Sequence, residues 1–308
     1  MTADSFAVST ASLGKRFKNK WALAECSFDL PQGKICGLVG SNGAGKTTLL
    51  RLITGLAEPS SGAVRVFGQA PADTREFLHD VGFLAQDVPL YKRWNSEDHL
   101  ALGAHMNARW DDNLTRERIR SLGIPLDQRV GTLSGGQRAQ VALAMALGKR
   151  PRLLLLDEPV AALDPLARRD FLGVLAEAVA EGDLTVILSS HLVGDLERIC
   201  DHLVLLDTGR LALAADLDDV LASHRLLTAP RRNTFALERD HTVLRCERTQ
   251  RQVSAWVRLD GPLHDPGWEV TELGLEDIAL AYMGRGRQEL EAESVAATAV
   301  SAVTGAVR

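Results

Sequence analysis

Four short apolar runs punctuate the chain: Ile35–Val39, Leu153–Leu156, Thr185–Leu188 and Leu203–Leu206. Each is bounded by Gly, Pro or polar residues and has no alternating polar face. A strand without a polar face is buried on both sides, the pattern of a parallel sheet covered by helices. Between the runs, Lys46–Ala57, Gly136–Leu147 and Pro165–Ala180 are predicted helices. Val81–Ala85 is a fifth candidate strand. Ala63–Phe67, after the turn signal Glu58-Pro59-Ser60-Ser61-Gly62, is predicted to be antiparallel.

The texture changes twice. From about Asp87 to Thr132 the chain is charged, carries Trp94 and Trp110, and is expected to be a helical insert in the α/β core. From Arg225 to Arg258 it is Arg-rich with short alternating runs. The segment from Val253 to Leu259 has the period of a half-buried strand, and Leu275–Met283 is predicted to be a short helix. The expected organisation is a core over 1–222 with its insert at about 87–135, a small α+β appendage over 223–284, and a flexible tail over 285–308. Trp256, Val257, Leu259, Trp268, Ile278, Tyr282 and Met283 are the candidate core of the appendage. No internal repeat is visible.

A chain of 308 residues with 35 Lys+Arg against 40 Asp+Glu, net charge −5, has no basic excess to mark a nucleic-acid footprint. The four cysteines, Cys26, Cys36, Cys200 and Cys246, form no CxxC pair and fit reduced thiols. Met1 to Thr10 lacks the basic start and apolar core of a signal peptide. No stretch approaches the roughly 18 apolar residues of a membrane span. Membrane contact is therefore expected through a partner.

Three segments carry chemistry. Gly40-Ser41-Asn42-Gly43-Ala44-Gly45-Lys46-Thr47 fits GxxxxGK[ST] between an apolar strand and a predicted helix. Its glycines let backbone N–H groups curl around phosphate oxygens, and the helix N-terminus adds a positive dipole end. Lys46 reaches β- and γ-phosphates, and Thr47 offers its hydroxyl to Mg²⁺. The glycine spacing is not that of a dinucleotide fingerprint. Leu153–Leu156 ends in Asp157-Glu158-Pro159, placing Asp157 to hold Mg²⁺ and Glu158 to polarise an attacking water. Leu133-Ser134-Gly135-Gly136-Gln137 is a second phosphate cradle at a helix start. A chain with two cradles invites the idea that one serves another subunit's nucleotide. A simple Ser134 N-cap explains the serine but not the Gly pair and Gln137.

Gly40–Thr48, Gln86, Leu133–Gln137, Leu156–Pro159, Ala162-Leu163-Asp164 and His191, in that order and spacing, resemble the nucleotide-binding subunit of an ABC transporter over about residues 5–222. The resemblance implies a P-loop NTPase fold of ABC type: a mostly parallel sheet, an antiparallel β subdomain and a helical subdomain. It implies ATP and Mg²⁺ bound in a dimer, homomeric or heteromeric. Gln86 is similar to the family's glutamine that touches Mg²⁺ and the nucleophilic water, and His191 to its switch histidine on the γ-phosphate. Asp164 resembles the aspartate that crosses the dimer interface. Phe17 fits the adenine-stacking aromatic best, with Trp21 as runner-up. Where many members read DEPTxGLD, this chain has Val160-Ala161-Ala162, which removes a hydroxyl and a glycine.

The leading expectation is an ATP-hydrolysing subunit, peripheral on the cytoplasmic face of the membrane, that drives a separate transmembrane permease docked on the helical insert. The segment from Leu275 to Gly284 resembles the ending of drug- or antibiotic-export subunits, which favours export. The alternatives are an importer subunit with a regulatory C-terminal domain and a soluble ABC-type ATPase on ribosomes or DNA. Against the last stand one P-loop, one LSGGQ and no heptad run. A small-molecule kinase has no use for LSGGQ.

Overall fold

The computed structural model describes residues 6–88 and 90–284. The tail expected over 285–308 lies outside the described residues. The chain divides into two compact units between Ala214 and Ala215.

The first unit opens with a long hairpin, β1 (Phe6–Phe17) and β2 (Lys20–Pro31). The core then runs β3 (Ile35–Val39), α1 (Lys46–Ile53), β4 (Ser61–Val66), α2 (Arg75–Asp80) and β5 (Val81–Leu84). Next come α3 (Ser96–Met106), α4 (Asp112–Ser121) and α5 (Gly135–Gly148). The unit closes with β6 (Leu153–Asp157), α6 (Pro165–Ala180), β7 (Thr185–Ser190), α7 (Val193–Leu196), β8 (His202–Asp207) and β9 (Arg210–Asp216), whose last two residues fall past the division.

A six-stranded sheet runs β5-β6-β7-β3-β8-β9, and its pairs from β5 through β8 are parallel. Every residue of β3, β6, β7 and β8 is buried, as the unbroken apolar runs require. A second, antiparallel sheet, β2-β1-β4, contains the strand predicted after the turn at 58–62. Its two longest strands were not predicted. Register shifts interrupt β1 between Thr10 and Leu13 and again before Lys15, so no clean period of two survives.

Helix α1 stops at Ile53 rather than Ala57. Thr54 caps it, and Gly55 follows with φ +76, the left-handed geometry that ends a helix. The charged insert is helical as expected. Its helices pack with α5 around a small separate core of Leu100, Ile119, Ile124, Val130, Leu133, Val141 and Ala144.

The second unit comprises α8 (Leu217–Ser223), β10 (His224–Pro230), α9 (Phe235–Asp240), β11 (Thr242–Arg248), β12 (Gln252–Arg258), β13 (Glu269–Glu272) and a helix over 275–284. Its sheet is antiparallel in the order β11-β12-β10-β13. Its core holds Leu227, Ala229, Leu237, Val253, Ala255, Val257 and Trp268. Trp256 is a correction to the expected core. Residues 253, 255 and 257 share the buried face, so the period of two turns Trp256 to the other face, where the Arg245 guanidinium lies 4.9 Å from its ring centroid.

The four cysteines are free thiols. Burial pushes Cys26 up to about 11 and Cys200 up to about 12, and raises Cys36 well above the usual thiol range, so these three are held protonated. Among the described residues no helix is long and apolar enough to cross a membrane.

Candidate functional site: a phosphate cradle at the strand ends

The C-terminal ends of β3, β6 and β7 lie side by side, with Val39 paired to Ser190 and Asp157 paired to Ser189. In an open α/β sheet this edge is where ligands bind. A cleft of about 690 Å³ opens here, lined by Phe17, Ala22, Ser41, Asn42, Gly43, Gly45, Lys46, Thr47, Thr48, Gln86, Glu158, Ala161 and His191.

The loop from Gly40 to Gly45 needs its glycines for space. A Cβ on Gly40 would lie 2.5 Å from the Leu206 carbonyl oxygen. One on Gly45, at φ +104, would lie 2.6 Å from the Ala22 carbonyl oxygen. Ala44, between the glycines, is buried. Gly45 is also the N-cap of α1 and gives it no side-chain cap, so the first N–H groups of the helix are not taken by a capping side chain.

Lys46 is buried at 6 % exposure. Its Nζ donates to the Gly40 carbonyl at 2.8 Å and the Ser41 carbonyl at 3.5 Å, and lies 3.2 Å from Glu158 Oε1. The other Glu158 oxygen lies 2.8 Å from His191 Nδ1. Glu158 therefore bridges two cationic or potentially cationic groups. It does so from φ +49, a left-handed conformation that a non-glycine residue holds only when its surroundings enforce it.

Asp157 is fixed at both oxygens. Thr47 Oγ1 donates to Oδ2 at 2.8 Å, and Ser189 Oγ donates to Oδ1 at 2.9 Å. Among the described residues no group of three His, Cys, Asp or Glu is placed to hold a metal ion. The Thr47–Asp157 pair instead supplies two hard oxygens beside a phosphate cradle. That donor set fits Mg²⁺, which takes few protein ligands and completes its octahedron with phosphate and water.

The remaining candidates lie elsewhere. Ser134 caps α5: its hydroxyl accepts from the Gln137 N–H at 3.1 Å, and Gln137 Oε1 accepts from the Ser134 N–H at 3.0 Å. Gly136 sits where a Cβ would come 3.1 Å from the Ala167 Cβ, so this turn packs closely on α6. Gly135 belongs to the same turn, and Asp164 caps α6 by accepting from the N–H groups of Leu166 and Ala167 at 3.0 Å. None of Ser134, Gly135, Gly136, Gln137 or Asp164 lines the cleft of its own chain. Phe17 does so and is 53 % exposed, whereas Trp21 is not among the lining residues. Ser189 was missed. Its signal was present, a serine directly after the apolar run Thr185–Leu188.

A family model described as ABC transporter matches residues 23–161. The chain is 38 % identical over 233 residues to a phosphonates import ATP-binding protein, PhnC 1, of Natronomonas pharaonis, a match covering 70 % of this chain and 98 % of that protein. It is 28 % identical over 221 residues to the bacitracin transport ATP-binding protein BcrA of Bacillus licheniformis, covering 71 % of this chain and 72 % of the relative. A solved ATP-binding subunit of an ABC transporter superposes with a TM-score of 0.62 at 29 % identity, over 70 % of this chain and 92 % of that one. The strand-end cradle, the helical insert and these matches agree: the chain belongs to the ATP-binding subunits of ABC transporters and is an ATP hydrolase.

Proposed function

We propose that the chain powers transport through a separate transmembrane permease, peripheral to the cytoplasmic face of the membrane, by closing and reopening a dimer around ATP. The observation that carries this reading is the separation of the two cradles. Ser41–Gly43 and Gly45–Thr48 line the cleft, while Ser134–Gln137 does not. Residues of the second cradle then complete the site of a facing protomer, with Asp164 at the same interface. A two-fold dimer repeats this contact twice.

Within the cleft, the backbone of 40–47 and Lys46 cradle the β- and γ-phosphates, and Phe17 stacks on adenine. Thr47, Asp157 and Gln86 would hold Mg²⁺, and the cation, when bound, would neutralise phosphate charge. Glu158 accepts a proton from the attacking water as its oxygen bonds the γ-phosphorus and the bond to ADP breaks. His191, bonded through Nδ1 to Glu158, presents its other ring nitrogen, Nε2, to the γ-phosphate. Loss of that phosphate removes the contacts that hold the dimer closed.

Export is favoured by the resemblance of residues 275–284 to export subunits. Import is the second reading, favoured by the match over nearly the whole of the phosphonates import protein. Membrane vesicles with the ATPase facing outward separate the two. ATP-driven accumulation of solute in the lumen supports export, and ATP-driven depletion supports import.

The test of the core proposal is Glu158→Gln, which keeps shape and removes the base. ATP binding is expected to persist, turnover to fall by at least about 100-fold, and an ATP-bound dimer to accumulate in gel filtration. Turnover at the wild-type rate would overturn the role of Glu158.

A further inference from the structure

The geometry points to Ser189 as a positioning residue that sets the two acids of the site, Asp157 and Glu158, in register; this rests on the proposed roles of those acids. Ser189 lies on β7, opposite Asp157 on β6, and is fully buried. Its hydroxyl oxygen accepts from the Glu158 N–H at 2.9 Å. Its single proton is donated to Asp157 Oδ1 at 2.9 Å. One hydroxyl thus holds the backbone of one acid and the side chain of the other.

Both bonds act where the chain has a choice to make. Glu158 has φ +49, and the Ser189 oxygen gives its N–H a partner in that conformation. Asp157 has two oxygens, and Ser189 and Thr47 each take one, which fixes the plane of the carboxylate. The result is a relay from the cradle (Thr47) through β6 (Asp157) to β7 (Ser189) and back to the amide of Glu158. His191, bonded to the Glu158 carboxylate, lies two residues beyond Ser189 on the same strand end. Ser189 touches neither nucleotide nor water in this scheme and acts through its two neighbours. Alanine at 189 fits without crowding but leaves a buried N–H and a carboxylate oxygen short of a partner. The left-handed turn then loses a restraint, and the Glu158 carboxylate its fixed aim.

The experiment compares Ser189→Ala, Ser189→Thr and Ser189→Ala/Glu158→Gln in the full-length chain. Nucleotide affinity, kcat, the Mg²⁺ concentration for half-maximal rate and Tm are measured together. Ser189→Ala is expected to bind ATP within about threefold of wild type while kcat falls at least about tenfold. The Mg²⁺ requirement rises. Ser189→Thr, which keeps the hydroxyl, recovers most of kcat and the wild-type Mg²⁺ requirement. The double variant is no slower than Glu158→Gln alone, because both changes disable the same group. Unchanged kcat and Mg²⁺ requirement in Ser189→Ala overturn the inference. So does a parallel loss of affinity, kcat and Tm that threonine does not restore, which marks a packing role. Full activity of Glu158→Gln alone strikes the proposed function instead, so the two failures are distinguishable.

Discussion

Two glycine-rich turns each open a helix in the first unit, and they dispose of the helix's first N–H groups in opposite ways. At α1 the N-cap is Gly45, no side chain caps the helix, and the turn forms the floor of the cleft. At α5 the N-cap is Ser134, and a reciprocal capping box with Gln137 satisfies donors on both sides. The first turn is open to an anion by construction. The second is self-sufficient, and an incoming phosphate has to share or replace its Ser134 bond. On the proposed reading, this difference in capping separates a primary binding loop from one that engages when a second protomer brings nucleotide to it.

That contrast breaks most visibly at Lys46. Lys46→Ala removes the buried ammonium of the open turn, and ATP affinity is expected to fall by well over tenfold, more than about 1.4 kcal/mol. Titration with a fluorescent nucleotide checks this, and unchanged affinity would mean that 40–47 is not a cradle. The closed turn is tested with Ser134→Arg. Monomers are expected to bind ATP as wild type does, while ATP-dependent dimerisation is lost because a bulky cation fills the facing γ-phosphate position. Gel filtration with ATP reads the second effect. Loss of ATP binding by the monomer would place the second cradle in the chain's own site and refute the two-half-site arrangement. The smallest effect belongs to Ser134→Ala, where deleting the cap is expected to lower stability by about 1 kcal/mol in thermal or urea unfolding. A loss far above that would show that the turn supports more than its own helix.

The same contrast explains what could be read in advance. The glycine spacing around Lys46, the acids after Leu156 and the Ser-Gly-Gly-Gln turn were legible because each is a contiguous stretch in which chemistry dictates residue type. The four central strands were legible because burial on both faces leaves no polar position to confuse the pattern. The β1–β2 hairpin was not: register shifts break the alternation in β1, while β2 keeps it only over the short stretch Cys26–Leu30. Trp256 was misplaced because bulk and apolarity were counted without the strand's parity, which puts it opposite Val257. Ser189 went unread for another reason. Its partners lie 31 and 32 residues away in sequence, and only the parallel pairing of β6 with β7 brings them within reach.

The ion pair of Lys46 with Glu158 alters what nucleotide binding means in this protein. Lys46 is not a bare cation waiting for phosphate; its charge is already compensated in a nearly dry setting. On the proposed reading, the arrival of a triphosphate is an exchange of counter-ions: the ammonium trades a carboxylate oxygen for phosphate oxygens, and that oxygen, Oε1, becomes available to the water it must deprotonate while His191 keeps the other. Affinity at this position is then the difference between two ion pairs rather than the strength of one. Charge capture and arming of the base become a single event, so the chain has no need of a separate signal to report that its site is filled.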